Sequence, residues 1–411
     1  MAGGCGGSDH RSPPARSVLA SPGQGTPRGP AFGLTEDDAD LLWSPDAPSR
    51  TPESFLSARV ELTALDPTYL RLLVDWAALQ PEPGRPPALE AAVSGCDRGA
   101  GPCGAYAGIA AELAAIASQQ RAAGAGARFR VVVDIFGAPA WAARGHAGCE
   151  SSGTAPFSRP LRPAAIADYR SLIGSLLALG ARDGVALEWW SPWNEPNDPR
   201  FLSPQRSSCA AASRPRAAAI YAQLARAMAA ELRAAGGRHH LLLGELNDFE
   251  IDTPHSTSVA QFVAALPADV ICLAEAWSIH AYARHDPASA TPDPVPVLEA
   301  ALDARGPCGR DVGIWVTEAG AGAPHPGQPR PAGAADEQAG CLALAAQLLQ
   351  WRSDPRVGAV FQYSFREDPA FPVGLTSADL SHLYPTYRLW LAWSRAQAAG
   401  QPPPTPAAAC A

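Results

Sequence analysis

Short apolar runs alternating with helix-length stretches along most of the chain predict an α/β protein, a (β/α)8 TIM barrel. Parallel strands need crossover connections, and a repeated strand–helix order is how a barrel supplies them. The 411-residue length fits one such barrel with tails, since barrels use 250 residues or more as one unit. Two strand candidates, the fourth and the seventh, end in glutamates, at the end of a barrel where catalytic groups gather.

Residues 1–50 are rich in Pro, Gly and Ser and lack periodicity, so they are expected to be a disordered tail or tether, with Leu41-Leu-Trp43 docking on the barrel. The barrel domain is expected over 51–400. Arg59-Val-Glu-Leu-Thr63 alternates like a strand, and Tyr69-Leu-Arg-Leu-Leu-Val-Asp-Trp76 is a more apolar second one. A helix over 105–123 leads to the near-continuous apolar strand Phe129-Arg-Val-Val-Val-Asp-Ile-Phe136. A helix over 164–180 precedes the fourth strand, Leu187-Glu-Trp-Trp-Ser191. Further strands at 240–244, 276–282, 312–318 and 359–364 alternate with helices at 214–235, 258–266, 295–304, 335–352 and 385–399. Residues 401–411 read as a Pro-rich tail.

Hydrophobic residues make up 47% of the chain, enough for a large core, and no run of about 18 apolar residues predicts a membrane helix. The net charge of −8 argues against nucleic acid as a partner. Nine cysteines show no zinc spacing. Cys96–Cys103, Cys149–Cys209 and Cys308–Cys341 are candidate bridges, and Cys272, inside Val270-Ile-Cys-Leu273, is expected to be a buried free thiol. The start, Met1-Ala-Gly-Gly-Cys5, is similar to the mature end of a bacterial lipoprotein, with Cys5 as the lipid anchor to a membrane and an extracellular or cell-envelope location. A Gly-rich tail on a cytoplasmic protein is the alternative. His239-His240 lacks metal spacing, the Gly-rich stretches carry no phosphate-loop lysine, and no G-x-S-x-G occurs, so no cofactor and no metal are implied.

The chemistry centres on Ser191-Pro-Trp-Asn-Glu-Pro-Asn197. Pro196 disfavours helix at the residue before it, so Glu195 is displayed at a strand end, and burial beside Trp189, Trp190 and Trp193 would raise its pKa as a general acid requires. Glu318, in Val316-Thr-Glu-Ala-Gly320, ends the seventh strand. The separation leaves room for about three strand-plus-helix units of roughly 30 residues. His280-Ala-Tyr282 ends the sixth strand, between the two.

These three strand ends resemble clan A of the glycoside hydrolases, and Trp193-Asn-Glu-Pro-Asn197 is most like family 39, with family 5 a close second. The resemblance follows the strand order over residues 55–395. It implies a retaining enzyme in which Glu195 is the acid/base, Glu318 the nucleophile and Asn194 the ligand of the hydroxyl next to the reacting carbon, while Tyr282 donates to Glu318 and His280 lines the cleft. Retention needs carboxyl groups about 5–5.5 Å apart, inversion about 6.5–9.5 Å. The partner is an oligo- or polysaccharide with β-linkages, or a short glycoside; a non-catalytic carbohydrate-binding barrel is the alternative.

Trp141, Trp193, Trp277, Tyr363 and Phe365 are candidate sugar platforms, each with packing as the competing role. The clan often has Trp at the end of strand eight, where this chain has Gln362-Tyr-Ser-Phe365. Arg71 and Asp75 share a strand face, so Arg71 either fixes a carboxylate at the cleft floor or pairs with Asp75 in the core. Glu245, Asn247, His285 and Asp286 follow strands five and six and either meet sugar hydroxyls or face solvent.

Overall fold

A computed structural model describes residues 29–36, 53–91, 93–94, 105–106, 108–123, 130–210, 213–283, 293–323 and 328–411. Eight parallel strands close into a barrel: β1 (Ala31–Glu36), β2 (Tyr69–Asp75), β3 (Arg130–Phe136), β4 (Leu187–Ser191), β5 (His240–Leu246), β6 (Ala276–His280), β7 (Gly313–Ala319) and β8 (Val357–Tyr363). Each neighbours the next in sequence, and β8 closes on β1. The helices that follow them are α1 (Glu53–Leu65), α2 (Gly108–Ala123), α3 (Ala165–Asp183), α4 (Ala217–Ala235), α5 (Val259–Ala265), α6 (Pro294–Asp303), α7 (Ala334–Ser353) and α8 (Pro385–Ala398). The expected (β/α)8 barrel is the observed one.

Its first strand is not the expected one. Residues 59–63 lie inside α1, whose buried Phe55, Ala58, Leu62 and Leu65 recur at helical spacing while Val60 is 68% exposed. The first strand is Ala31–Glu36, within the stretch read as tail or tether, so the barrel begins before residue 51. Phe32 and Leu34 face the helices, with Phe32 stacked on Trp390 at 4.6 Å. Gly33 faces inward: a Cβ there would lie 2.4 Å from the Phe361 ring.

The remaining expected strands and helices match the observed ones to within a few residues. Between strands and helices lies the main core, which takes in Trp190, Trp193, Trp277 and Trp390. A smaller cluster fills the barrel interior, built from Tyr69, Val132, Trp189, Leu242, Ala276, Trp315, Ala359 and Phe361. Trp315 touches three of its rings, with centroids 4.3 Å from Trp189, 4.7 Å from Tyr69 and 5.9 Å from Phe361. This plug forces everything above it toward the C-terminal mouth.

Three disulfides occur among the described residues: Cys149–Cys209, Cys272–Cys308 and Cys341–Cys410. The first was expected. Cys272 is not a buried thiol, because the short helix Ala268–Ile271 turns Val270 and Ile271 into the core and leaves Cys272 at the surface beside Cys308. The expected Cys308–Cys341 bridge does not form, because Cys308 is taken by Cys272 and Cys341 pairs with Cys410. The C-terminal stretch is correspondingly fastened rather than free: Pro406–Ala409 forms a helical turn capped by Thr405, and Ala409 and Cys410 are buried. Cys5, Cys96, Cys103, Leu41-Leu-Trp43, His285 and Asp286 lie outside the described residues. No helix among the described residues is long and apolar enough to cross a membrane.

Candidate active site

Two residues above the aromatic plug the strands turn polar. Thr35, Arg71, Asp134, Ser191, Ser278 and Thr317 are all fully buried. Arg71 on β2 lies at the centre of this layer. Its Nη1 donates to Glu318 Oε1 at 2.8 Å, and its Nη2 donates to Asp134 Oδ2 and Asn194 Oδ1, both at 2.8 Å, and lies 3.0 Å from Glu245 Oε2. A guanidinium has the five donors in a fixed fork that such a cluster of acceptors needs. Its partner is not Asp75, which instead caps the short helix Trp76–Leu79 by accepting from Ala78 N at 3.1 Å.

Glu195 follows β4 in a loop that is buried throughout, with Asn194 N bonded to Ile135 O at 3.1 Å. Glu195 has a left-handed φ of 39°, a conformation that costs a non-glycine residue energy and persists where surroundings enforce it. Here they are Pro196 and Asn197, whose side chain ties the loop to Asn247 O at 2.9 Å and Thr257 O at 3.0 Å. Glu318 arrives from β7, beside register shifts on both flanking strands that bring Thr317 and Glu318 inward together.

The two carboxylates meet. One oxygen of Glu195, one of Glu318 and a ring nitrogen of His280 lie within 4.8 Å of one another. Glu318 accepts from Arg71 on Oε1 and from the Tyr282 hydroxyl on Oε2 at 2.5 Å. Glu195 Oε1 lies 2.8 Å from His280 Nδ1 and accepts from Asn247 Nδ2 at 3.2 Å; Oε2 accepts from Arg200 Nη2 at 3.3 Å. Burial pushes the Glu195 carboxyl above the usual carboxylate range, against the downward pull of His280. Burial alone would lower the His280 pKa, but Glu318, Glu195 and Glu245 together push it up to about 10. Burial would raise Glu245, yet Arg71, His280 and Thr317 hold it down at about 2. Asp134, buried with no hydroxyl donor among its partners, is raised well above its ordinary value by desolvation.

The fold places Arg71, Asn194, Glu195, His280, Tyr282 and Glu318 around one site. It does not bring the expected platforms there. Trp193 is buried and donates to Phe201 O at 2.8 Å; Trp277 is buried on the helix side of the sheet; Phe365 is buried edge-on to Tyr387. Trp141 is half-buried, bonded to Gln80 O at 2.8 Å and edge-on to Trp76. Tyr363 does reach the mouth, half-buried, and forms an aromatic wall with Phe371 and Tyr282: the Phe371 centroid is 5.0 Å from Tyr282 and 5.9 Å from Tyr363. Phe371 and Arg200 come from loops and carried no periodic signal. Asp134 did carry a signal, the one acid inside an otherwise apolar run of its strand. Glu245 is fully buried beneath His280, so it meets neither sugar nor solvent.

No family model and no curated protein sequence matches the chain. Solved structures do. One is a family 39 glycoside hydrolase from Bacteroides cellulosilyticus WH2, 16% identical, with a TM-score of 0.56 over 89% of this chain and 64% of that one. The fold is that of clan A glycoside hydrolases. A GH5_18 protein from Streptomyces cattleya, solved in complex with GlcNAc, is 16% identical with a TM-score of 0.53, covering 92% of this chain and 83% of that one. The catalytic domain of GH30 xylanase C from Talaromyces cellulolyticus is 14% identical with a TM-score of 0.51, covering 90% and 76%. This chain thus spans just under two thirds of the family 39 protein's length.

Proposed function

We propose that the protein is a retaining glycoside hydrolase, with Glu318 as nucleophile and Glu195 as general acid/base. The observation that carries this is the approach of the two carboxylates to within 4.8 Å in unlike surroundings. That spacing favours double displacement, since inversion needs about 6.5–9.5 Å to admit a water. A Glu318 oxygen attacks the anomeric carbon as the bond to the leaving oxygen breaks, and Glu195 gives that oxygen a proton. Water then attacks the glycosyl ester, Glu195 takes a proton from it, and the Glu318 carboxylate is released. Arg71 and Tyr282 orient Glu318 from its two oxygens; Asn194, held by Arg71, faces the neighbouring sugar hydroxyl. His280 and the Tyr363–Phe371 wall line the cleft.

The substrate class is a β-linked glycan or short glycoside, in keeping with structural neighbours named as a xylanase and an exo-β-1,4-mannosidase. The disulfides fit an oxidising compartment and an extracellular or cell-envelope location, with lipid attachment through Cys5 part of the same proposal. A panel of aryl glycosides tests the activity. Glu318→Ala is expected to lose on the order of 10⁴-fold in kcat, with azide restoring part of it; a binding barrel shows no turnover to lose. The kcat/KM profile is expected to be bell-shaped. Because burial raises the Glu195 pKa, its acid form persists above the usual carboxylate range and the basic limb lies there, whereas a profile flat from about pH 4 to 9 contradicts the assignment.

A further inference from the structure

Glu245 has no place in the mechanism above, yet the fold is bent to bring it in. The β5–β6 register shifts between Leu243 and Leu246, and two successive residues take positive φ, Gly244 at 115° and Glu245 at 49°. Only glycine fits at 244, where a Cβ would lie 2.2 Å from Ser278 O. The bulge turns Glu245 into the barrel, and its backbone N donates to Ser278 Oγ at 2.7 Å. A single oxygen, Oε2, then meets three donors: Thr317 Oγ1 at 2.6 Å, His280 Nε2 at 3.0 Å and Arg71 Nη2 at 3.0 Å. The other oxygen has no hydrogen-bond partner among the described residues.

We propose that Glu245 is a positioning residue that fixes the His280 ring with its Nε2 hydrogen toward β5, so that the proton delivered by Glu195 is one it shares with His280 Nδ1. This rests on the reading of Glu195 as the acid. With a carboxylate against Nε2, that nitrogen keeps its hydrogen, and proton exchange is confined to Nδ1. Nδ1 faces Glu195 Oε1 at 2.8 Å and Glu318 Oε2 at 3.3 Å. The shared proton leaves with the departing oxygen in the first step, and the proton taken from water restores it in the second. Among the described residues, the charged groups surrounding His280 are Glu195 after β4, Glu245 on β5 and Glu318 on β7, with Arg71 on β2 bonded to the last two and to Asp134 on β3; Tyr282 on Glu318, and Asp198 and Arg200 beside Glu195, complete the set. At rest the shared proton sits on His280 Nδ1, and removing the Glu245 charge makes it easier to lose.

Glu245→Gln tests this, because an amide oxygen in place of Oε2 still accepts from Thr317 and His280 while the charge is gone. The basic limb of kcat/KM is expected to move to lower pH by about 1–2 units, with kcat at neutral pH down about tenfold and KM unchanged within about twofold. A readout independent of activity is the ¹⁵N NMR titration of His280, assigned through His280→Gln. Both ring nitrogens are expected to be protonated at pH 7 in the wild type, with Nδ1 deprotonating at lower pH in Glu245→Gln. A neutral His280 in the wild type at pH 7 overturns the proposal even if the variant does not fold, and so does a basic limb that stays in place in a folded variant. A wild type that turns over no glycoside while His280 is doubly protonated overturns the hydrolase reading and the proton-sharing role, but leaves the charge assignment standing.

Discussion

Tyr69, Val132 and Trp315 lie in the barrel one layer below Arg71, Asp134 and Thr317, on the same three strands and about 7 Å apart along each. The lower layer is packed rings and aliphatic groups; the upper is an arginine shared among Asp134, Glu245 and Glu318. Both are buried, so burial does not separate structure from chemistry in this molecule. What separates them is the cost of holding each layer. Rings release water on packing, whereas buried charges must be repaid by one another, an arrangement of little net stabilising value.

That contrast can be broken by substitution. Arg71→Met is expected to have the largest effect, because it strands three buried carboxyl groups: a loss of about 3–5 kcal/mol in chemical denaturation, together with loss of turnover in whatever remains folded. Should the variant be as stable as the wild type, the upper layer is not organised by Arg71. Trp315→Ala is expected to cost a similar or slightly smaller amount, about 3–5 kcal/mol, but the folded fraction should keep its kcat/KM pH profile, since the ring packs on Tyr69, Trp189 and Phe361 one layer below the site. A shift in that profile would show that the plug tunes the chemistry. Phe371→Ala sharpens the comparison at the rim. A half-buried loop ring removed from the aromatic wall should leave denaturation midpoints nearly unchanged and raise KM by about tenfold, or about 1.4 kcal/mol; an unchanged KM would remove Phe371 from the substrate path.

The upper layer was partly legible in the sequence and the rim was not. Glu195, Glu318 and His280-Ala-Tyr282 stand at the ends of apolar runs, so strand order alone carries them to one mouth. Arg71 could be placed on an inward face by parity, but the same parity chose the wrong partner, because Asp75 leaves the strand to cap a helical turn. Glu245 was hidden by the bulge: a one-residue register shift exchanges inward and outward faces, and no alternation pattern records it. Trp193 and Trp277 failed as platforms because an aromatic near a strand end packs equally well on either side of the sheet. The first strand was missed for a different reason. Ala31–Glu36 is six residues set among prolines and glycines, and it becomes a strand only by pairing with β2 and β8, whereas 59–63 alternates locally but sits on a helix whose buried face has a 3.6-residue period.

The central claim is that Glu318 bonds covalently to the sugar while Glu195 handles the proton. Incubating the protein with the 2-deoxy-2-fluoro analogue of whichever aryl glycoside it turns over, then mapping peptides by mass spectrometry, tests it directly. The account predicts one glycosyl adduct per chain, on Glu318. An adduct on another residue, or steady turnover of the parent glycoside with inversion and no adduct, contradicts it.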